Sequence, residues 1–312
     1  MPSFISIIIP CRNEDKYIKG CLDSILAQDF PKENLEVLVI DGMSEDKTRE
    51  IVEEFKIKNL KLKIQLIDNP QKFTPFGLNI GIKASRGEII IRMDSHAGYQ
   101  KDYISKCVKY LQESGADNVG GVIKTLPAKN TLTARAIAKV LSHPFGAGGS
   151  YFRLGSEEPR WVDTVFGGCY RREVFSRVGL FNEKMIRSQD IEFNKRLIKA
   201  GGKILLRPDI VAYYYPQAEF WKFFRHNFID GFWTIYPLKF GVAFFSLRHL
   251  FPLIFIITLP LSIWPYIFLS LFFSAKIALK EDLRYFFILP FVFFNRHFAY
   301  GLGSLWGLVK SL

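Results

Sequence analysis

The chain has 312 residues, long enough for one large domain with an extension or for two domains. With 49% hydrophobic and 15% aromatic residues, it is too apolar for a disordered chain. A formal charge of +12 suits anionic lipid, nucleic acid or phosphorylated substrates, and the late clustering of phenylalanine favours lipid over nucleic acid.

The chain opens with MPSFISIIIPCRNE, a short apolar core with no positive charge before it. It does not read as a secretory signal, so the N-terminal part is expected in the cytoplasm. FISIIIP reads as a buried strand. DKYIKGCLDSILAQ follows with helical spacing at Tyr17, Ile18, Cys21, Leu22, Ile25 and Leu26. LEVLVIDG is a second strand and EDKTREIVEEF a second helix. LKIQLIDN, FGLNIGIKASRG and EIIIRMD continue as strand, helix and strand, with Gly87 ending the helix. Apolar strands alternating with helices predict an α/β fold, with a mostly parallel sheet covered by helices on both faces. The cysteines Cys11, Cys21, Cys107 and Cys169 form no C-x-x-C pair and suit a reducing compartment.

Farther on, FWKFFRHNFIDGFWTIYPLKFGVAFFSLRH mixes aromatics with Lys222, Arg225, Lys239 and Arg248, the composition of an interfacial helix on anionic lipid. Leu250 to Ala275 carries no charge at all. At about 1.5 Å per residue that run is longer than the ~30 Å hydrocarbon core. Pro252, Pro260 and Pro265 interrupt it, giving a kinked span or a re-entrant hairpin. A second apolar stretch holds Asn295, Arg296 and His297 at its centre, so it must face protein or bend back. Gly301, Gly303 and Gly307 in it would allow close helix packing. The expected division is an α/β domain over 1–215, an amphipathic segment over 216–249 and membrane helices over 250–312.

Ligands of parallel sheets bind at the carboxyl ends of strands, and those ends are polar here. The first delivers Arg12, Asn13 and Glu14, the second Asp41 and Ser44, the fourth Asp94 and His96. Neither G-x-G-x-x-G nor G-x-x-x-x-G-K-[ST] follows the strands. A bound diphosphate would then need a metal and basic side chains to balance its charge.

The segments SIIIPCRNE, VLVIDGMSEDKT, NIGIKASRGEIIIRMDSHA and SQDIEFNKRLIKAGGKI, in this order, resemble the family 2 glycosyltransferases with a GT-A fold. The tail HFAYGLGSLWGLV resembles their membrane-associated branch that builds exopolysaccharides such as succinoglycan. The resemblance implies that Pro10, Asn13 and Glu14 line a nucleotide pocket and that Asp41 hydrogen-bonds the base, typically uracil. It implies that Asp94 holds a metal on the sugar-nucleotide diphosphate, that Asp190 is the catalytic base of an inverting transfer, and that Gly167 and Gly168 lie on the acceptor side. Two positions depart from the family pattern: His96 ends the D-x-D motif and Gln189 begins the E-D motif. An imidazole there suits Mn²⁺ better than Mg²⁺. Arg225 and His226 could support the diphosphate, but Q-x-x-R-W is missing, which argues against a processive polymerase.

The resemblance thus implies a metal-dependent enzyme at the cytoplasmic membrane, facing the cytoplasm. It would use a nucleotide-sugar donor and a lipid-linked saccharide acceptor. A polyprenyl-phosphate sugar synthase and a non-catalytic membrane scaffold with a degenerate site are the competing readings. Simpler roles stay open for single residues: a turn at Asp41, a helix cap at Asp94, a backbone contact at His96, and first-turn acids at Asp190 and Glu192.

Overall fold

The computed structural model describes residues 3–312. In chain order the elements begin β1 (Ile5–Cys11), α1 (Ile18–Leu26), β2 (Leu35–Asp41), α2 (Thr48–Lys58), β3 (Lys63–Asp68), α3 (Thr74–Ala84) and β4 (Ile89–Arg92). Next come β5 (Ala97–Tyr99), α4 (Tyr103–Glu113), β6 (Asn118–Thr125), α5 (Leu132–Leu141), α6 (Pro144–Ala147) and α7 (Tyr151–Leu154). They are followed by β7 (Arg160–Trp161), β8 (Phe166–Arg171), α8 (Glu173–Val178), α9 (Gln189–Lys199) and β9 (Ile204–Tyr214). The chain closes with α10 (Phe220–Ile235), α11 (Leu247–Ile257), α12 (Leu259–Lys280) and α13 (Tyr285–Ser311).

These elements form two compact units. The first comprises the described residues up to Lys124 together with Gly155–Tyr214; the second comprises Thr125–Leu154 and Tyr215–Leu312. This corrects the contiguous division expected from composition. A boundary does fall at Tyr214, but the segment Thr125–Leu154 groups with the C-terminal helices. Composition missed this because α5 is an ordinary amphipathic helix whose packing partner lies far along the chain.

In the first unit the strand order is β3-β2-β1-β4-β8-β6-β9-β5, with β7 on β9. Strands β3, β2, β1 and β4 pair in parallel, and β1 and β2 are almost wholly buried, as strands covered on both faces must be. Beyond β4 the sheet turns antiparallel, at β4–β8, β8–β6, β9–β5 and β9–β7. The sheet is therefore mixed, with its parallel pairs joining those first four strands. Helix α1 buries Ile18, Cys21, Leu22 and Ile25, while α3 starts with Pro75 in its first turn and packs on β1 and β2. The carboxyl ends of β1, β2 and β4 lie side by side, because Cys11 is in register with Asp41 and Ile8 with Arg92.

In the second unit α13 is the central helix, with α5, α10, α11 and α12 against it. Helices α10 and α13 run in the same direction, since Phe228 meets Gly303 and Phe232 meets Gly307. A Cβ on Gly231 would lie 1.9 Å from the Tyr300 carbonyl oxygen, and one on Gly303 would lie 1.9 Å from that of Phe228. Only glycine permits that approach, as the sequence implied for Gly303. The polar centre of α13 faces protein: Asn295 donates to the Phe220 carbonyl at 3.0 Å, Arg296 donates to Asn227, and His297 lies 2.8 Å from the Phe145 carbonyl and 2.9 Å from the Tyr266 hydroxyl.

The segment expected to be one interfacial helix is broken. Helix α10 ends at Ile235, a 3₁₀ turn over Tyr236–Phe240 contains Pro237, and α11 starts only at Leu247. Its Phe223, Asn227, Gly231 and Thr234 are buried in their own unit. The charge-free run also divides, at Thr258, which closes α11 and opens α12. Among the described residues, α12 alone is long and apolar enough to cross a membrane. Leu261, Trp264, Phe268 and Phe272 on it are exposed.

Candidate active site

The loops after β1 and β2 are clasped together. Asn13 donates its backbone N–H to Ser44 Oγ at 2.9 Å, and its side-chain oxygen accepts from the Glu45 N–H at 2.9 Å. The Glu14 N–H donates to Thr48 Oγ1 at 2.7 Å and the Asp15 N–H to Asp46 at 3.1 Å. Arg12 is exposed and lies 3.9 Å from Glu45, while Pro10 stays within β1, in register with Ile40. Asp41 is 0% exposed. It accepts from the Ser44 N–H at 3.0 Å, from Ser44 Oγ at 2.5 Å and from Arg49 at 2.6 Å. The carboxylate expected to meet a nucleobase thus bonds Ser44 of its own turn and Arg49 of α2. The groups it orders, Ser44 and Arg49, line an open cavity of about 490 Å³ with Met43, Glu45 and Lys72.

RMDSHAG joins the end of β4 to the new strand β5, so Asp94 caps no helix; the next one begins at Tyr103. The Asp94 N–H donates to the Tyr99 hydroxyl at 2.6 Å, and the Ala97 N–H donates back to the Asp94 carbonyl at 3.2 Å. Arg92 donates through Nη2 to Asp94 Oδ1 at 3.0 Å, and its Nη1 lies 3.7 Å from Asp190 Oδ2. Burial alone would raise the Asp94 carboxyl; Arg92 and His96 outweigh it and hold the group below its ordinary value. His96 places Nδ1 3.4 Å from Glu14 Oε1, on a carboxylate rather than on a backbone carbonyl. Burial opposes the imidazolium, but Glu14 and Asp94 prevail and raise its pKa.

Asp190 stands in the first turn of α9, just after Ser188 at φ +58°. Its side chain is 32% exposed, against 15% for Asp94 and 11% for Arg92. The neighbouring Gln189 is buried. Glu192 is a structural acid: Arg196 meets it with two hydrogen bonds, at 2.6 and 2.9 Å. Gly167 and Gly168 adopt φ of +67° and +114°. A Cβ on Gly167 would lie 2.7 Å from the Arg92 carbonyl oxygen, so this pair seats β8 against the end of β4. His226 pairs within α10 with Asp230 at 3.2 Å, and Arg225 is exposed.

The structure therefore brings Asp94, Asp190 and Gly167 to Arg92, sets His96 against Glu14, and joins Asn13 and Asp41 through Ser44. Sequence reasoning missed Arg92 and Arg49. The available signal for Arg92 was a cation closing an otherwise apolar strand. The non-glycine residues at positive φ, Asn13, Met43, Lys72 and Ser188, sit in the loops after β1, β2 and β3 and before α9. Backbone strain concentrated this way marks a site held in a required shape.

The family model for glycosyl transferase family 2 matches residues 6–179, which cover β1 to α8 and every strand end described above except that of β9. The chain belongs to glycosyl transferase family 2. A relative from Methanococcus voltae is 31% identical over 99% of this chain and 98% of its own. It is a dolichyl N-acetyl-α-D-glucosaminyl phosphate 3-β-D-2,3-diacetamido-2,3-dideoxy-β-D-glucuronosyltransferase. Succinoglycan biosynthesis protein ExoA of Rhizobium meliloti (strain 1021) is 29% identical over 71% of this chain and 67% of its own. Among solved structures, the mannosyltransferase PcManGT from Pyrobaculum calidifontis, in complex with GDP-Man and Mn²⁺, aligns with a TM-score of 0.67 at 19% identity, covering 98% of this chain and 88% of its own. The fold of this family 2 chain is GT-A, an α/β fold.

A divalent ion was expected beside Asp94 and His96. Among the described residues, no three His, Cys, Asp or Glu side chains gather as a metal cluster. One carboxylate and one imidazole do not make a closed protein cage. They fit an open site, in which a bound diphosphate supplies most of the oxygens. Asp94, whose Oδ1 is already taken by Arg92, and His96 would hold such an ion.

Proposed function

We propose that this family 2 chain is an inverting, membrane-associated hexosyltransferase. It moves a sugar from a nucleotide-diphosphate sugar, with uridine the first base to test, to a hydroxyl of a lipid-linked glycan. The reading is carried by the meeting of Asp94 and Asp190 across Arg92, at the carboxyl ends of the parallel strands. The cavity lined by Met43, Ser44, Glu45, Arg49 and Lys72 offers two cations beside one acid and takes the nucleotide. Asp190, one-third exposed, accepts the proton of the acceptor hydroxyl. The hydroxyl oxygen bonds to the anomeric carbon as the bond to the diphosphate breaks on the opposite side, inverting configuration. A divalent ion at Asp94 and His96 would offset charge on the departing diphosphate.

Two observations support a lipid-borne acceptor. The name of the Methanococcus voltae relative places its acceptor sugar on dolichyl phosphate, and ExoA belongs to succinoglycan biosynthesis. Helix α12 exposes Leu261, Trp264 and Phe268, and a protein held at a cytoplasmic membrane surface meets such acceptors at raised effective concentration. The test is a screen of uridine and guanosine diphosphate sugars with the full chain in detergent, with and without lipid extract, and with Mn²⁺, Mg²⁺ or EDTA. The expected result is metal-dependent transfer to an extractable glycolipid from one donor. Transfer to lipid phosphate that survives Asp190→Asn would point instead to a polyprenyl-phosphate sugar synthase. No turnover of any donor would overturn the enzymatic reading.

A further inference from the structure

Asp94 and Asp190 arrive from distant parts of the chain, one past the end of β4 and the other in the first turn of α9. Two carboxylates brought this close repel each other and have no intrinsic reason to keep a fixed separation. The guanidinium of Arg92 lies between them, 3.0 Å from Asp94 Oδ1 and 3.7 Å from Asp190 Oδ2. We propose that Arg92 is a positioning residue that aims the base at Asp190 relative to the diphosphate subsite at Asp94. This rests on Asp190 being the base, as proposed above.

Three observations carry it. The Arg92 side chain is only 11% exposed and already donates to Asp94 Oδ1, so its charge is engaged with the protein's own carboxylates. Its backbone is pinned on two sides: Arg92 is in register with Ile8 of β1, and its carbonyl oxygen faces Gly167 so closely that a Cβ there would sit 2.7 Å away. Its Nε and Nη1 are buried with no hydrogen-bond partner, although buried donors on a cation are rarely left so. The Nη1 atom is the one facing Asp190. A shift of Asp190 by less than about 1 Å would turn that ion pair into a hydrogen bond of about 2.8 Å. The same planar fork would then fix both carboxylates at once. Lysine, a single point charge, cannot hold two carboxylates in that geometry.

The test uses the full chain in detergent, the donor identified by the screen above, and four variants: Arg92→Met, Arg92→Lys, Asp190→Asn and the double variant Arg92→Met/Asp190→Asn. Thermal unfolding and UDP or GDP binding with Mn²⁺ are measured alongside kcat and KM. In Arg92→Met, kcat should fall about 100-fold, the scale of a misplaced catalytic group. The donor KM and nucleotide affinity should change less than about threefold, as for an interaction made only in the transition state. Arg92→Lys should stay at least about tenfold slow with an unchanged Tm, because charge without the fork does not restore aim. The two losses should be far from additive: Arg92→Met should slow the Asp190→Asn variant by much less than about 100-fold, because only its hold on Asp94 is left to lose. A full further loss of about 100-fold in the double variant, or normal kcat in Arg92→Lys, would overturn the proposal. If Arg92→Met fails to fold, the lysine variant decides alone. Full turnover in Asp190→Asn would instead sink the base assignment, whatever Arg92 does.

Discussion

In the first unit, Gly167 and Gly168 take left-handed backbone angles and let β8 close on the end of β4; in the second, Gly231 and Gly303 are helical and let α10 and α13 meet backbone to backbone. The first pair serves orientation, because the strand end it seats carries Arg92 and, just beyond, Asp94. The second pair serves only proximity. The same contrast runs through the polar groups. At the strand ends, charges lie in loops that hold Asn13, Met43, Lys72 and Ser188 at positive φ, each costing on the order of 1 kcal/mol or more. In the helical unit, Asn295, Arg296 and His297 sit on one regular helix and meet amide, carbonyl and hydroxyl partners. A site must hold named atoms at chosen places. A bundle needs only to be close and satisfied.

That contrast can be broken in four places. The largest effect is expected at Asp190→Asn, which should lower kcat about 1,000-fold while nucleotide affinity stays within about threefold. Retained turnover would move the chemistry away from α9. Next is Gly303→Ala. The new Cβ would meet the Phe228 carbonyl, which is backbone and cannot swing away, so a loss of about 3 kcal/mol is expected in unfolding experiments in detergent. Gly20→Ala is the control: nothing lies within 4 Å of its Cβ position in α1, and a gain of roughly 0.5–1 kcal/mol is expected. Equal effects at the two positions would erase the distinction.

Asp41→Asn should cost about 2 kcal/mol, the loss of charge-assisted bonds to Ser44 and Arg49 without burying a new charge, since Arg49 is partly exposed. Denaturant titration with and without UDP would separate this loss from any effect on nucleotide binding. The smallest effect concerns Asp209, a surface acid of the first unit. Burial would raise its carboxyl, but the Tyr110 hydroxyl, backbone, Arg207 and Lys106 hold it below its ordinary value. A lowered folded-state value stabilises above the unfolded value, and the contribution is lost as pH falls from about 4 through the folded-state value. Asp209→Asn should therefore flatten the acid limb of the stability profile by under about 1 kcal/mol, given its exposure to solvent. A steeper acid limb in that variant would show the sign to be wrong.

What could be read from the sequence follows the range over which each feature is encoded. Strands β1 to β4 and the helices between them are local periodicities and were legible. The antiparallel part of the sheet was not: β8 is FGGCYR, whose direction is set by pairing with β4 across some 75 residues. Asp94 and Asp190 were legible as polar residues in matched motifs. That Asp41 would turn inward onto Ser44 and Arg49 was not, since a carboxylate before a glycine looks the same in either role. Arg92 went unread because a cation at a strand end usually faces water, and only the approach of α9 makes it a buried bridge. His96 was left open, and its partner, Glu14, comes from a different strand end.

The route of the chain has a practical consequence. It passes from the first unit into the second after Lys124, returns at Gly155 and leaves again after Tyr214. A fragment trimmed at Tyr214, the natural choice for a soluble catalytic core, would still carry α5. It would lose Leu289, Val292 and Phe293, against which Ala136, Ile137, Val140 and Leu141 are buried. Such a fragment should be sticky and short-lived however sound its sheet. Excising 125–154 as well and bridging the gap with a flexible linker is the better first design for crystallography of the transferase unit.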